Sequence, residues 1–523
     1  MTIDPGLLVE WLAQNEPSFV YQQSELAQEV AQLQWTGQQW QDWFTAMSTQ
    51  VVAGGSFHAE ATEALIRRAT EQLGSQPQLW TESLVTSVVS FYEALDGKGG
   101  AAPLLLALFI VSDFPKCMDA FSEIIVHQPP PTAAAVAIAF RPLFDGRDTA
   151  IHLFPRLLDA IPQITAVAAV FDLANYLVRS GIIAEHPAAP RAGELVGLLS
   201  ELVRRLEYFE EEPIKSEEQF QSVAIQVGEA TAITIGLCDA LALIGAEEAI
   251  PKLHLLQRLR HRRLQVEAAA ALVRLGDESG ASILAKLAAE PIVRLHAVQF
   301  ADELGCGTQI DPCHRTPEAL AEAQFALALA QPTRFGVPPA QLEVIDRRHW
   351  FWPGYETPVE CFLIRYAYSV PEGTWSNIGM TGPSPIMCSA DLGNLAPADI
   401  YAVFAGLDTE HEEILHWDSS EWAEHHLAEI ARGERTLRDS GYLEIQPTLL
   451  ARFFGDWLLV AKATWNQVSG MVVVDEQGAR WFAANGPRPL GTREIFALYK
   501  GKRLLKVFND LDEDSPEAET GEE

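Results

Sequence analysis

Between residues 233 and 305 apolar positions recur with helical spacing in three passes, 233–245, 264–276 and 293–305. Each pass is closed by a glycine, at Gly245, Gly276 and Gly305. At about 3.6 residues per turn the apolar positions fall on one face of a helix. The glycines suit a helix end, where a left-handed backbone costs a residue with a β-carbon about 1 kcal/mol or more. A short polar turn and a second apolar helix follow the first two passes, at 249–259 and 280–290, and Asp277 stands where it can cap the latter. A period of about thirty residues marks stacked helical repeats, because one helix pair cannot bury its apolar face without neighbours.

The rest of the chain divides by pattern. Residues 1 to 100 read as helices with breaks at Gly54-Gly55 and at 96–100, and they carry Trp11, Trp35, Trp40, Trp43 and Trp80. Two uncharged apolar segments, 102–111 and 132–140, flank the run Pro129-Pro130-Pro131; apolar all round, they predict helices buried on most sides. Helical spacing continues over 148–207 with a connection at 186–193, and a charged loop is expected at 210–218. A last helix follows Cys306. From about Pro332 the pattern turns aromatic and strand-like, with eight of the 13 tryptophans beyond Arg348. Strands are predicted at 359–368 and 457–464, and a hairpin over 471–483 turning at 476–478. Helices are predicted at 396–416, 419–431 and 492–499. The expected fold is multidomain: an all-α array over 1–330, a smaller α+β domain over 332–509, and a disordered tail over 510–523, which carries eight acids and no base.

Val293-Arg294, the alanines of the second pass and Leu275-Gly276-Asp277 make the array similar to the short HEAT-like repeats of the phycobilisome-lyase type. Leu264-Gln265 and Ile233-Thr234 stand where that pattern has Val-Arg, and Ala246 where it has Asp. The resemblance implies an α-solenoid and, for most such proteins, an adaptor role. Some members attach bilins, so it also implies an accessory role in chromophore attachment as a weaker alternative.

Composition narrows the function classes. The longest uncharged apolar run, 101–111, contains Pro103 and is about half the length of a membrane helix. The first residues lack the basic start and small-residue cleavage site of a secretory signal, so a cytoplasmic location and no membrane partner are expected. Cys117, Cys238, Cys306, Cys313, Cys361 and Cys388 are scattered, as free thiols in a reducing compartment are. A formal net charge of −34, from 37 basic and 71 acidic residues, disfavours nucleic acid as a partner. No glycine loop cradles a phosphate, and no cofactor is expected.

Against this acidic background Lys252, His254, Arg258, Arg260, His261, Arg262 and Arg263 concentrate basic charge, and Arg274, Lys286 and Arg294 recur one repeat later. Stacking aligns equivalent positions, so Lys252, Arg258, Arg260, Arg262, Arg263 and Arg294 form a candidate stripe for a protein partner, with an acidic partner segment or the chain's own tail from Asp510 as its charge match. The competing view is a solvated convex face. In the C-terminal domain, Glu412 with His416, Glu421 with His425 and Glu413 with His416 have helical spacing suited to acid–base or metal chemistry. His411 and His416 are five apart, so no HExxH pattern exists, and Asp418 to Glu421 also reads as a capping box. His411, His416, His425 and Cys388 are the candidate pocket residues, no metal is assigned, and Cys361 is expected in the core. The run from Arg347 to Tyr355 is expected to cover the junction between the domains. The leading expectation is an intracellular protein-binding scaffold; the alternative is a C-terminal enzyme or small-molecule or metal binder carried by the repeats.

Overall fold

The computed structural model describes residues 4–14, 29–112, 114–145, 147–211, 216–371, 373–409, 413–416 and 423–509. The expected tail at 510–523 lies outside them. The chain divides into two compact units, Met1–Leu284 and Ala285–Glu523. A helical region is followed by an α+β region, as the patterning predicts.

The first unit contains α1 (Pro5–Gln14), α2 (Gly37–Val52), α3 (Ala59–Ser75), α4 (Glu82–Ala94), α5 (Ala101–Ile110), α6 (Pro115–His127), α7 (Ala133–Phe140), α8 (Arg147–Leu153), α9 (Ile164–Arg179), α10 (Ala192–Glu211), α11 (Glu217–Ile244), α12 (Ile250–Leu256) and α13 (Arg262–Arg274). Alternate helices touch: α3, α5, α7, α9, α11 and α13 pack each on the next, as do α2, α4 and α6, and α10 with α12. Local chemistry sets the helix ends. Thr36 and Gln39 form a capping box before α2, whose Trp40, Trp43, Phe44 and Met47 then share one buried face. The buried Gln72 of α3 fastens this corner, accepting from the Trp35 amide (3.1 Å) and Trp40 Nε1 (3.1 Å) and donating to the Trp35 carbonyl (2.6 Å). The apolar α5 is buried nearly all round, as its composition predicts.

Two expectations change here. The charged loop is shorter, because α10 runs through Glu211 and α11 begins at Glu217, with 212–215 outside the described residues. The first pass is the second half of that 28-residue helix. Its stretch Gln221–Ile244 is long and apolar enough to cross a membrane, although 56% of its most apolar window is buried inside the protein. Glu229 and Asp239 interrupt the apolar letters, which is why a search for uncharged runs passes over it. The three closing glycines adopt φ of +77°, +82° and +72°. Asp277 Oδ1 accepts from the Ser279 amide at 2.9 Å ahead of α14 (Ser279–Leu287), the helix in which the two units divide.

The second unit contains α15 (Pro291–Glu303), α16 (Pro317–Leu329), β1 (Gln341–Trp350), β2 (Val359–Val370), β3 (Gly373–Thr381), α17 (Pro397–Asp408), β4 (Glu413–His416), α18 (Glu424–Asp439), β5 (Leu443–Phe453), β6 (Asp456–Trp465), β7 (Val468–Asp475), β8 (Gly478–Ala483) and α19 (Thr492–Asn509). Two antiparallel sheets form, β1-β2-β3 and β4-β5-β6-β7-β8. Each is covered on both faces. Phe362, Ile364 and Tyr366 meet Ala321, Phe325 and Leu329 of α16, while Cys361, Leu363, Ile378 and Met380 meet α17. Leu459, Ala461, Val472 and Val474 meet α18, while Leu458, Val460, Met471 and Val473 meet α19. Two-sided burial explains the unbroken apolar run Met471 to Val474 in a strand. It also explains why the unit begins before residue 330: α16 covers the first sheet and α15 packs on α16, so both cluster with it.

The unit is built twice. α16-β1-β2-β3-α17 and α18-β5-β6-β7-α19 share an order of helix, three antiparallel strands and helix, and β4 and β8 add to the two edges of the second sheet. The final helices also share a sequence: Asp399-Ile400-Tyr401-Ala402-Val403-Phe404 with Gly406 matches Glu494-Ile495-Phe496-Ala497-Leu498-Tyr499 with Gly501. They pack antiparallel through their glycines. A β-carbon on Gly406 would lie 2.0 Å from the Ala497 carbonyl oxygen, and one on Gly501 would lie 1.7 Å from that of Ala402. This reciprocity is what a local two-fold relation between the halves produces.

Sequence expectations are revised in three places. Glu413 to His416 form a strand rather than the end of a helix, because pairing with β5 overrides the helical spacing. α18 starts at Glu424 behind Ala423 without a side-chain cap, and the expected capping box at 418–421 lies outside the described residues. Arg347 to Trp350 belong to β1 and Trp352 is fully buried among Tyr401, Phe404 and Leu498, so Trp350 and Trp352 serve the core of their own unit while Phe351 and Tyr355 are exposed.

Candidate functional site

The basic cluster surrounds the connection between α12 and α13. Arg258, Arg260 and Arg262 are exposed, and Lys252 and Arg263 are half-buried. Arg263 is engaged with Glu267 (Nε to Oε1, 2.8 Å), Arg262 reaches Gln265 Oε1 at 3.0 Å, and the Arg260 amide donates to Glu210 at 2.6 Å. Arg294 leaves the stripe. Its side chain is 5% exposed and donates to the carbonyls of Ala288 (2.9 Å), Ala289 (3.1 Å) and Ala319 (2.6 Å), with Glu322 at 3.2 Å. The guanidinium satisfies carbonyls at and just beyond the end of α14, a structural task that removes it from any partner.

A polar seam crosses α9, α11 and α13. Asp239 accepts from Arg179 Nε at 2.8 Å and Arg274 at 3.2 Å, and Asn175 donates to the Gly236 carbonyl at 2.9 Å. His186, 3% exposed, donates from Nε2 to Asn175 Oδ1 (3.0 Å) and accepts the Ala188 amide on Nδ1 (3.2 Å). Accepting on Nδ1 needs the neutral ring, and burial, opposed by Asp239, lowers its pKa to about 4. With a folded pKa below the unfolded value of about 6.5, this stabilisation is complete above pH 6.5 and is lost as pH falls toward 4. We predict a loss of about 3 kcal/mol across that window, at 1.36 kcal/mol per unit. Urea unfolding at pH 7.5 and 4 checks it: the wild type should lose that much more than His186→Gln, and equal losses would refute it.

Among the described residues the expected histidine and cysteine pocket is not assembled. His411 lies outside the described residues, His416 pairs with Leu449 across β4 and β5, and His425 is exposed on α18, its ring 6.3 Å from that of Trp457. Cys388 belongs to the loop after β3, which Asn377 fixes through the carbonyls of Cys388 (3.1 Å) and Ala390 (3.0 Å). It lines a cleft with Asp408, Arg493 and Glu494, and no histidine is among the described lining residues. Burial, with Glu494 adding to it, pushes the thiol up to about 11, and burial alone pushes Cys361 to about 12. Such thiols are protonated at neutral pH and are poor nucleophiles. Among the described residues no group of three or more His, Cys, Asp or Glu could hold a metal ion.

The arrangement that sequence reasoning missed is a cleft of about 810 Å³ between the start of α17, the end of α19 and the turns β5-β6 and β7-β8. Trp350, Phe454 and Tyr499 supply aromatic walls, and Arg480, Lys502, Arg503 and Lys506 supply cations. The guanidinium carbons of Arg480 and Arg503 lie 5.6 and 5.9 Å from the Tyr499 ring centroid. Arg503 is steadied by Asp456 (3.0 Å) and Tyr499 Oη (3.1 Å), and Lys502 pairs with Asp399 at 2.5 Å. The duplicated Asp/Glu-Ile-Tyr/Phe-Ala motif was the available signal, since it shows which helices meet at the cleft. No family model, curated protein or solved structure matches the chain.

Proposed function

We propose that the chain is an intracellular, cytoplasmic protein-binding scaffold. Its first unit is an α-solenoid of HEAT-like type, and its α+β unit supplies a second recognition surface. The observation that carries this is the alternate packing of helices from α3 to α13, which leaves Arg258, Arg260 and Arg262 exposed together at one inter-helix turn. Repeats stacked this way build extended surfaces rather than closed pockets. Clustered arginines favour an acidic segment on a protein partner. Chemistry elsewhere gives catalysis little support, because burial keeps Cys361 and Cys388 protonated and no histidine is among the described residues lining the Cys388 cleft.

The test compares the full chain with Arg258→Glu, Arg260→Glu and Arg262→Glu combined, using quantitative cross-linking in cell extract and a 14-residue polyglutamate peptide as the defined probe. About tenfold weaker peptide binding and loss of the cross-linked partners are expected, at up to about 1 kcal/mol per exposed charge pair. An unchanged partner set with unchanged peptide affinity would overturn the proposal.

A further inference from the structure

The aromatic and cationic cleft of the second unit sits beside the point where the acidic C-terminal segment begins. Lys506 and Val507 line it, and α19 ends two residues later at Asn509. Asn509 clamps that end in place, accepting from the Phe351 amide at 2.8 Å and donating to its carbonyl at 3.1 Å. Residues 510–523 then bring eight acids and no base. Around the cleft, Phe454, Val507 and Phe508 are 45, 61 and 42% exposed, an apolar rim next to arginines of the kind that marks a recognition surface.

The duplication offers an internal control. By the match between the two final helices, Lys502 and Arg503 correspond to Leu407 and Asp408, and Ala398 and Asp399 correspond to Arg493 and Glu494. Leu407, Asp408, Arg493 and Glu494 line the cleft beside Cys388. The two clefts are therefore counterparts, and the cations of α19's last turns belong only to the one adjoining the acidic segment.

We propose that this cleft is a docking site for acidic polypeptide and that its resident ligand is the chain's own segment 510–523. Arg480 and Arg503, whose planes are held against Tyr499, are the charge match for the segment's carboxylates, and the exposed apolar rim is the match for its one large apolar residue. Asp399, Asp456, Asp475 and Glu476 also line the cleft and offset its cations, so the affinity for a free peptide is modest. Tethering decides the outcome: a segment joined directly to the lining helix acts at an effective concentration on the order of millimolar. The contact is self-blocking, and an acidic partner gains the site by displacing the segment. This goes beyond the scaffold proposal and is independent of it, because the arginines of the first unit take no part.

The test uses a fluorescent synthetic peptide of sequence 510–523 and polarisation at low salt. It is added to the full chain and to a full chain whose eight tail acids are changed to Asn or Gln. The neutral-tail chain should bind about tenfold more tightly than the wild type. In that chain, Arg480→Glu with Arg503→Glu should abolish this gain, as should Arg480→Glu alone, which breaks no ion pair among the described residues. Arg258→Glu with Arg260→Glu and Arg262→Glu should leave the ratio between the neutral-tail and wild-type chains unchanged, whatever acidic peptide the first unit binds. Equal affinity of wild-type and neutral-tail chains would overturn the self-blocking contact while leaving an acidic-peptide site. Absence of binding, or loss only with the first-unit variants, would overturn the site itself.

Discussion

Gly501→Val will abolish the cooperative melting of the second unit, and Gly501→Ala will cost it about 4 kcal/mol or more. A β-carbon at this position falls 1.7 Å from the Ala402 carbonyl oxygen and 2.6 Å from its carbon, backbone atoms that no side-chain rotation can move. Real β-carbons essentially never come within 3.0 Å of such atoms, so α17 and α19 must separate. Those helices also cover the two sheets, through Tyr401 and Phe404 on one side and Ile495 and Tyr499 on the other. Separation therefore loosens both cores, which takes the cost beyond the ~1–3 kcal/mol usual for overpacking. For a unit of this size roughly 2–4 °C is lost per kcal/mol, so the alanine variant should melt about 8–16 °C lower. Gly228 in α11 has open space around its missing β-carbon, and Gly228→Ala should stabilise by ~0.5–1 kcal/mol. A Gly501→Ala chain melting within 2 °C of wild type would show that the approach is not this close.

Arg294→Ala will destabilise the second unit by about 3–5 kcal/mol, more than any exposed arginine of the basic cluster. The side chain is almost fully buried and spends its donors on three backbone carbonyls and Glu322. Truncation leaves those acceptors and a carboxylate without their cation, which costs their desolvation as well as the bonds. Arg294→Lys keeps the charge but cannot fork to carbonyls on two sides, so it should recover less than half of the loss. Arg258→Ala, at an exposed site, should change stability by less than ~0.5 kcal/mol. Denaturant midpoints of the three variants decide the matter, and equal midpoints would return Arg294 to the surface.

The helix-closing glycines were legible because a positive φ leaves a direct mark on residue choice, and Gly245, Gly276 and Gly305 all adopt it. The strand and hairpin at 457–483 were legible from β-branched runs bounded by turn residues. The helix expected to reach His416 failed for an equally physical reason. Four residues carry no decisive period, and pairing with Arg452, Ala451, Leu450 and Leu449 decided their conformation. The Glu413 and His416 pairing fell with it, since the Glu-x-x-His spacing has meaning only on a helix.

Letters spaced along the chain could determine whatever depends on near neighbours: a helical first part, an α+β second part, and an acidic composition with one basic concentration. Arg294 shows the limit, since the same letter reads as surface charge until three carbonyls, one of them 25 residues away, are placed around it. The two-sided burial of both sheets, the glycine-to-glycine contact of α17 with α19 and the cleft at their ends belong to the tertiary structure alone. They arise where segments distant in sequence meet, and hydrophobic burial, being non-directional, does not state in advance which segments those will be.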